Sequence, residues 1–314
     1  MTRTASQSQK PLVVLGSLNA DLYVEVERLP QPGETLAGSG AAVRPGGKGA
    51  NQAAAAARLG FSTRFAGHLG TDPFASALRD ALRDTGADTT LLTEVPGPTG
   101  QAFILLQRGG ENSIILVGGA NQEWPDGLSP ALDQAIRGAG ALLLQREIPE
   151  AINLAATQAA VAAGVPVVLD AGGAEGPLPA ALLAGLAVLS PNETELARLT
   201  GLPTATDQQV LIAARRLQAH GVGSVLVKLG ARGCLLLQAD GTVLRQAIFP
   251  VTVVDTTGAG DCFTGAYLVA MLENQDPAAR LRFACAAAAL CVQGLGAMPS
   301  MPDRAAVERI LKGC

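Results

Sequence analysis

Short apolar runs alternate along this chain with longer stretches whose apolar positions recur every three to four residues. Leu12 to Leu15, Thr63 to Ala66, Ala141 to Leu144, Val165 to Leu169, Ala187 to Leu189 and Ser224 to Leu229 read as strands. Between most of them the spacing predicts helices, over Gly49 to Leu59, Asp72 to Thr85, Pro149 to Ala163 and Asp207 to His220. Asp72 suits the cap of the second helix, with Pro73 at its first position. Strands and helices that alternate in this way build a mostly parallel sheet covered on both faces, an α/β fold of three layers (αβα).

Four segments follow the other period. Leu22 to Glu27, and less cleanly Thr35 to Val43, Gln101 to Gln107 and Ser113 to Val117, alternate as half-exposed strands do. Interrupting a βαβ series, they predict a small antiparallel β sheet beside the large one, inserted at about residues 21–44 and 99–118 of a domain covering about 11–314. Residues Met1 to Lys10 are polar and read as a flexible tail, neither signal peptide nor anchor. No apolar run approaches membrane-spanning length, so a soluble, cytoplasmic protein is expected.

Ligands of open parallel sheets bind beyond the carboxyl ends of the strands. Asn19 and Asp21 come just after the first strand, Glu147 follows Leu144, Asp170 ends its strand, Asn192 follows Leu189, and Gly230 follows Leu229. One edge of the sheet therefore gathers the polar residues.

Composition narrows the classes. A length of 314 residues at 48% hydrophobic content suits one large domain with an appendage. A net charge of −4 leaves no footprint for nucleic acid. Lysine occurs only as Lys10, Lys48, Lys228 and Lys312, so an anionic ligand must be held by local amides and few cations. Cys234, Cys262, Cys285, Cys291 and Cys314 form an odd set without C-x-x-C pairing and read as reduced thiols. The two histidines, His68 and His220, read as structural or surface residues. No Gly-x-Gly-x-x-Gly follows the first strand, which argues against a dinucleotide-dependent oxidoreductase, and no Walker loop is present.

The sharpest chemical signal is Asp255-Thr256-Thr257-Gly258-Ala259-Gly260-Asp261, ahead of an apolar helix beginning at Cys262-Phe263. Glycines let backbone amides approach an oxyanion, and the N–H groups of a first helical turn favour negative charge. A carboxylate in that turn suits a base that takes the proton of an attacking hydroxyl, which makes Asp261 the candidate. On this segment alone, a plain strand-to-helix connection in which Asp261 favours the helix N-terminus fits equally well.

Two more segments separate these readings: Gly46-Gly47-Lys48-Gly49-Ala50-Asn51 opens an alanine-rich helix, and Pro191-Asn192-Glu193-Thr194-Glu195 follows a short strand. With Gly16 to Asp21, Pro32 to Thr35, Leu229 to Gly233 and the Asp255 to Asp261 loop, they give the chain a strong resemblance to the ribokinase-like (PfkB) carbohydrate kinases from about Leu12 to Met301. The resemblance implies transfer of the γ-phosphoryl group of ATP to a sugar hydroxyl, O5 of D-ribose, with fructose, deoxyribose or a related sugar as the alternative. It implies a sugar site of Asn19, Ala20, Asp21, Gly47, Lys48, Gly49, Ala50, Asn51, Glu147 and the base Asp261. It also implies a nucleotide site of Asn192, the run Lys228, Leu229, Gly230, Ala231, Arg232 and Gly233, then Gly258, Ala259, Gly260, Asp261 and Cys285.

Three further implications come with it. Asn192 and Glu195 would hold Mg²⁺ through water, although Glu195 also suits a plain helix first turn. Asp255, Thr257, Cys291, Gly294, Gly296 and Ser300 would form a K⁺ site built largely of main-chain carbonyls. The small sheet would be a lid over the sugar and the interface of a homodimer. Two residues depart from the family pattern: Cys285, where an imidazole or amide commonly borders adenine, and Asp170, where asparagine is frequent. A nucleoside kinase fits less well, since the chain is only 3% aromatic, with Tyr23 and Trp124 as the residues that could serve it. A non-catalytic sugar-binding regulator would have dropped Asp261 or Glu195, and both are present.

Overall fold

The structure, a computed structural model, describes residues 9–108 and 111–313; most of the expected Met1 to Lys10 tail lies outside them. The first third of the chain runs β1 (Leu12–Leu15), β2 (Asn19–Val26), β3 (Gly40–Gly46), α1 (Lys48–Arg58), β4 (Thr63–Leu69), α2 (Phe74–Arg83) and β5 (Asp88–Glu94). Then follow β6 (Gly100–Gln107), β7 (Asn112–Val117), α3 (Pro130–Arg137), β8 (Ala141–Arg146), α4 (Glu150–Ala162), β9 (Val167–Gly173), α5 (Ala180–Leu183), β10 (Val188–Ser190) and α6 (Glu193–Thr200). The chain closes with α7 (Asp207–Ala219), β11 (Ser224–Lys228), β12 (Cys234–Leu237), β13 (Val243–Gln246), α8 (Ala259–Leu272), α9 (Pro277–Cys291) and α10 (Arg304–Lys312).

The large sheet has the order β13-β12-β11-β10-β9-β8-β1-β4-β5. Its pairings are parallel from β5 to β11 and antiparallel at β11–β12 and β12–β13. Strand β1 shows why the apolar run is continuous: Leu12 and Val14 enter the core on the α1, α8 and α9 side, while Val13 and Leu15 enter the one on the α4 and α7 side. Strand order reverses between β1 and β8, the topological switch point where such sheets bind ligands.

Most predicted elements stand where the hydrophobic pattern placed them, with shifted ends. Helix α2 starts at Phe74 because the Asp72 carboxylate accepts from Phe74 N at 3.0 Å and also from Thr99 N at 2.6 Å, fixing the entry of the helix. Helix α8 starts at Ala259, earlier than Cys262, because Gly258 takes a left-handed conformation (φ 77°) that lets the chain turn directly into the helix. Asp261 therefore lies inside the first turn. Strand β9 begins at Val167, after Pro166, and runs past Asp170.

The small sheet has the order β3-β2-β6-β7. Its outer pairings, β2–β3 and β6–β7, are antiparallel, and its central one, β2–β6, is parallel. The parallel pair follows from connectivity: β2 leaves directly after β1 and β6 shortly after β5, both from the carboxyl edge of the large sheet, so they run the same way.

Helices α1 and α8 cross closely because Gly265 faces α1, where a Cβ would stand 2.8 Å from Gln52 O and 3.0 Å from Ala55 Cβ. One turn earlier on each helix, the same crossing sets Asn51 and Gln52 against Asp261.

Candidate active site

Asp261 is held from three directions. Its Oδ2 accepts from Asn51 Nδ2 and its Oδ1 from Gln52 Nε2, both at 3.0 Å, and Lys48 Nζ stands 3.9 Å from Oδ1. An ionised carboxylate only accepts, so Gln52 must present its amino group to Asp261 and its Oε1 to Gln145 Nε2, 2.8 Å away. Gln145 O in turn accepts from Asn153 Nδ2 at 2.7 Å. This buried line of amides fixes the orientation of the carboxylate without adding charge.

On the lid side, Asn19 and Asp21 share one face of β2. Asn121 donates to Asn19 Oδ1 at 2.7 Å and accepts from Leu18 N at 3.0 Å, locking the entry to that strand. Glu147 Oε2 accepts from Ser17 Oγ at 2.5 Å and from Lys48 N at 3.1 Å, so it caps α1, whose N-cap residue Gly47 has no side chain to do so. Gly47 has φ 90°, and a Cβ there would stand 2.9 Å from backbone atoms of Ser17, Leu18 and Asn19. At Gly46 a Cβ would overlap the Asp21 carboxylate. These glycines let the start of α1 lie against the start of β2.

The enclosed charges perturb one another. Burial, then the carboxylates of Glu147 and Asp261, push the Asp21 carboxyl up to about 7. Lys48 is held well above the ordinary lysine value, chiefly by Asp261 and also by Asp170, Glu147 and Glu195, against the opposing effect of burial. It remains an ammonium. Asn51 Oδ1 is buried with no hydrogen-bond partner, an acceptor that a ligand hydroxyl would satisfy.

On the other side of Asp261 lie two adjoining cavities. A chamber of ≈ 480 Å³ is walled by Lys48, Asn192, Glu195, Gly258, Gly260 and Asp261 among others. A mainly apolar cleft of ≈ 360 Å³ is lined by Gly230, Ala231, Gly233, Phe263, Cys285 and further residues. Lys228, Gly230, Thr256 and Gly260 border both, so the two form one groove that ends at Asp261. The N–H groups of Gly260 and Asp261 find no acceptor among the described residues, while Ala259 N donates to Thr256 O at 3.2 Å. Open amides at a helix N-terminus make an anion site.

A cluster of amide, carboxylate and ammonium groups suited to hydroxyls and an apolar cleft leading to an anion site, with a carboxylate between them, suit a sugar kinase. The family model described as pfkB family carbohydrate kinase matches residues 9–304. The chain belongs to that family. It is 50% identical over 307 residues to a ribokinase of Arabidopsis thaliana, covering 96% of this chain and 81% of that protein. It is 39% identical to a ribokinase of Haemophilus influenzae, covering 94% and 96% respectively. The solved structure of the Arabidopsis thaliana ribokinase complexed with ribose and ATP superimposes with a TM-score of 0.93 over 96% of this chain and 99% of that one.

Within this pfkB kinase the sequence-predicted residues gather unevenly. Asn19, Asp21, Gly47, Lys48, Asn51, Glu147 and Asp261 lie together in one polar cluster, as their mutual contacts and field effects show. The side chains of Ala20 and Ala50 pack into the core, so only their backbone is available, and Gly49 lies against the backbone of Gly16 and Ser17. Leu229 is buried in the second core, and Arg232 is engaged by Glu193 and Asp207, so neither side chain lines the cleft. Cys285 does line it, with its Sγ 3.7 Å from that of Cys234. Sequence reasoning missed Ser17, Gln52, Asn121 and Gln145, which act by holding other side chains. It also missed Phe249, Val251 and Val253, apolar loop residues with no periodic signal that line the cleft.

The donor sets suit the two implied cations. Asn192 and Glu195 form a reciprocal cap of α6: Asn192 N donates to Glu195 Oε2 at 2.8 Å, Asn192 Nδ2 to Oε1 at 3.0 Å, and Glu195 N to Asn192 Oδ1 at 2.8 Å. Each carboxylate oxygen keeps a second lone pair at the chamber wall, which suits a hydrated Mg²⁺ that takes few protein ligands. Behind the Gly258 turn, Asp255 Oδ1 accepts from Thr257 N and Oδ2 from Gly296 N, each at 2.9 Å. Ser300 Oγ donates to Gly296 O at 2.6 Å and stands 3.2 Å from Cys291 Sγ, and Gly294 N donates to Cys291 O at 3.1 Å. One carboxylate amid main-chain carbonyls is a hard oxygen set fit for a monovalent cation.

The aromatic side chains are already engaged. Trp124 stacks on His68 with ring centroids 4.0 Å apart, and Tyr23 lies under the Arg44 guanidinium, 4.8 Å from its centroid.

The raised Asp21 value carries a prediction. Its unfolded-state value is lower, so between pH 4 and 7 the folded protein binds the extra proton, and stability from this group falls as pH rises, by about 4 kcal/mol across that window. The thermal midpoint of the sugar-free wild type, relative to Asp21→Asn, is expected to decline from pH 5 to pH 8. Parallel curves would contradict the assignment.

Proposed function

We propose that this chain transfers the γ-phosphoryl group of ATP to O5 of D-ribose, giving D-ribose 5-phosphate and ADP. The observation that carries the reading is the position of Asp261, fixed by Asn51 and Gln52 where the hydroxyl-suited polar cluster meets the groove. The names of the relatives, ribokinases, and the ribose and ATP of the matching complex support it. Asp261 accepts the proton of O5–H as that oxygen bonds to the γ-phosphorus and the bridging P–O bond to ADP breaks. The N–H groups of Gly260 and Asp261, with Lys228 and Lys48, face the charge on the transferring group. Bound Mg²⁺, held at Glu195 and Asn192 through water, would neutralise charge on the phosphate oxygens. K⁺ between Asp255, Thr257, Cys291, Gly294, Gly296 and Ser300 would stiffen the turn from behind.

Asn19, Asp21, Lys48, Asn51 and Glu147 bind the sugar hydroxyls in this reading, and a pocket built for a hydroxyl can reject a deoxy analogue by up to ~10⁴–10⁵-fold. A coupled ADP assay across ribose, deoxyribose, fructose and adenosine is expected to show ribose preferred. Preferred turnover of fructose or deoxyribose would move the chain to another sugar of the same family. Repeating the assay with K⁺ replaced by a cation too large to bind should lower turnover, and an unchanged rate would remove the K⁺ site.

The small sheet serves in this reading as the lid and as a homodimer interface. Leu22, Val43, Phe103 and Ile115 are cross-strand neighbours in one row on one face, and the last three are exposed. An exposed apolar row of this kind marks an interface. Light scattering at micromolar concentration is expected to give a dimer, and a monomer would remove the interface while leaving the lid. The four described cysteines are free and buried, consistent with a reducing, cytoplasmic setting. No helix among the described residues is long and apolar enough to cross a membrane.

A further inference from the structure

Asp170, in the middle of the strand Val167–Gly173, lines neither cavity, yet three hydrogen bonds meet on it. Its Oδ2 accepts from Lys228 Nζ at 2.5 Å and from Thr264 Oγ1 at 2.9 Å, and its Oδ1 from Gly172 N at 3.0 Å. It is 1% exposed. Burial alone would favour the neutral acid, but Lys228 and then Lys48 outweigh it and keep the carboxylate ionised.

Both donors lead to the anion site. Lys228 borders the apolar cleft and the chamber alike, and its Nζ lies 3.9 Å from where a Cβ on Gly260 would stand. Thr264 Oγ1 also contacts Gly260 O at 3.0 Å, one helical turn back. Asp170 thus ties the Lys228 ammonium and the Gly260 peptide into one frame from behind. Around the chamber Lys48 and Lys228 face several carboxylates, Asp170, Asp261, Glu147 and Glu195 among them. Without the Asp170 charge one anion beside the two lysines is gone, and the field on a bound phosphate would become more attractive.

We propose that Asp170 is a positioning residue for phosphoryl transfer, one that holds Lys228 against the Gly260 turn and offsets its charge, so that the spent nucleotide is released. The proposal rests on the nucleotide site described above. It differs from a merely structural role in moving affinity and turnover in opposite directions.

The test measures Mg·ADP affinity by calorimetry, together with kcat, for wild type, Asp170→Asn, Lys228→Met and the double variant. Asp170→Asn is expected to bind ADP about three- to thirtyfold tighter and to turn over about tenfold more slowly. If Asp170 acts through Lys228, the double variant should bind ADP as Lys228→Met does, within about twofold. Unchanged or weaker ADP binding in Asp170→Asn, or tightening that persists without Lys228, overturns the proposal and leaves the nucleotide site standing. Wild-type ADP affinity in Lys228→Met overturns the site assignment itself and the proposal with it. Should Asp170→Asn fail to fold, Thr264→Val removes the hydroxyl that joins Asp170 to Gly260 and leaves the Lys228 ion pair in place. It should lower kcat about three- to tenfold with ADP affinity retained, and wild-type kcat would count against the frame.

Discussion

Asp261→Asn is expected to lower turnover by about 10²–10⁴-fold while leaving ribose binding largely intact, as read by kcat in a coupled assay and by calorimetric titration with the sugar. The substitution keeps shape and removes the basic oxygen. It places an amide NH₂ where one of two donors now points, since Asn51 Nδ2 and Gln52 Nε2 both donate to this carboxylate. Gln52 cannot turn, because its Oε1 is held by Gln145 Nε2. Asn51 can: its Oδ1 is buried and without a partner, so a flipped amide would accept from the new NH₂. The fold should absorb the change, and the lost rate should report the base. Turnover within tenfold of wild type would mean that another group takes the proton, and the mechanism given above would fall.

The central layer was readable because its strands are buried on both faces and carry unbroken apolar runs, as Leu12 to Leu15 do. The edge strands β13 and β5 were not, being mixed in pattern, as Asp88 to Glu94 is, and nor was β12 beside β13. The parallel pairing of β2 with β6 was also hidden, since alternation gives the face of a strand and not the direction of its neighbour.

At the site, residues whose chemistry is carried by glycine, carboxylate or lysine within a continuous segment were legible: Gly46 to Asn51 and Asp255 to Asp261. Residues that act by holding others were not. Gln52, Gln145 and Asn153 are unremarked amides in α1, β8 and α4, and only the packing of α1 on α8 and on β8 turns them into a support for Asp261. Asn192 and Glu195 show the converse. Their spacing fits both a metal site and a helix cap, and the structure shows that the cap is made.

Gly258→Ala is expected to lower kcat by about 10²–10³-fold, the cost of losing one well-aimed oxyanion donor, with ribose affinity unchanged. Gly258 is the N-cap of α8 at φ 77°, and a Cβ there would stand 2.7 Å from Ala297 Cβ and 2.8 Å from Ala297 Cα. Ala297 belongs to the loop that Asp255 and Ser300 stitch behind the turn, so it cannot retreat without pulling on Gly296 N and Gly296 O. The turn must open instead, and the Gly260 and Asp261 amides move with it. Left-handed backbone strain of about 1–2 kcal/mol would accompany this and could by itself lower the thermal midpoint. Gly201 separates the two effects: it is the left-handed C-cap of α6 at φ 68°, with nothing within 4 Å of the position a Cβ would take. Gly201→Ala should lose a similar amount of stability and keep its turnover, whereas Gly258→Ala should lose both. If Gly258→Ala keeps kcat within about threefold of wild type, the transferring phosphate is not gripped by this turn, however well the carboxylate beside it is placed.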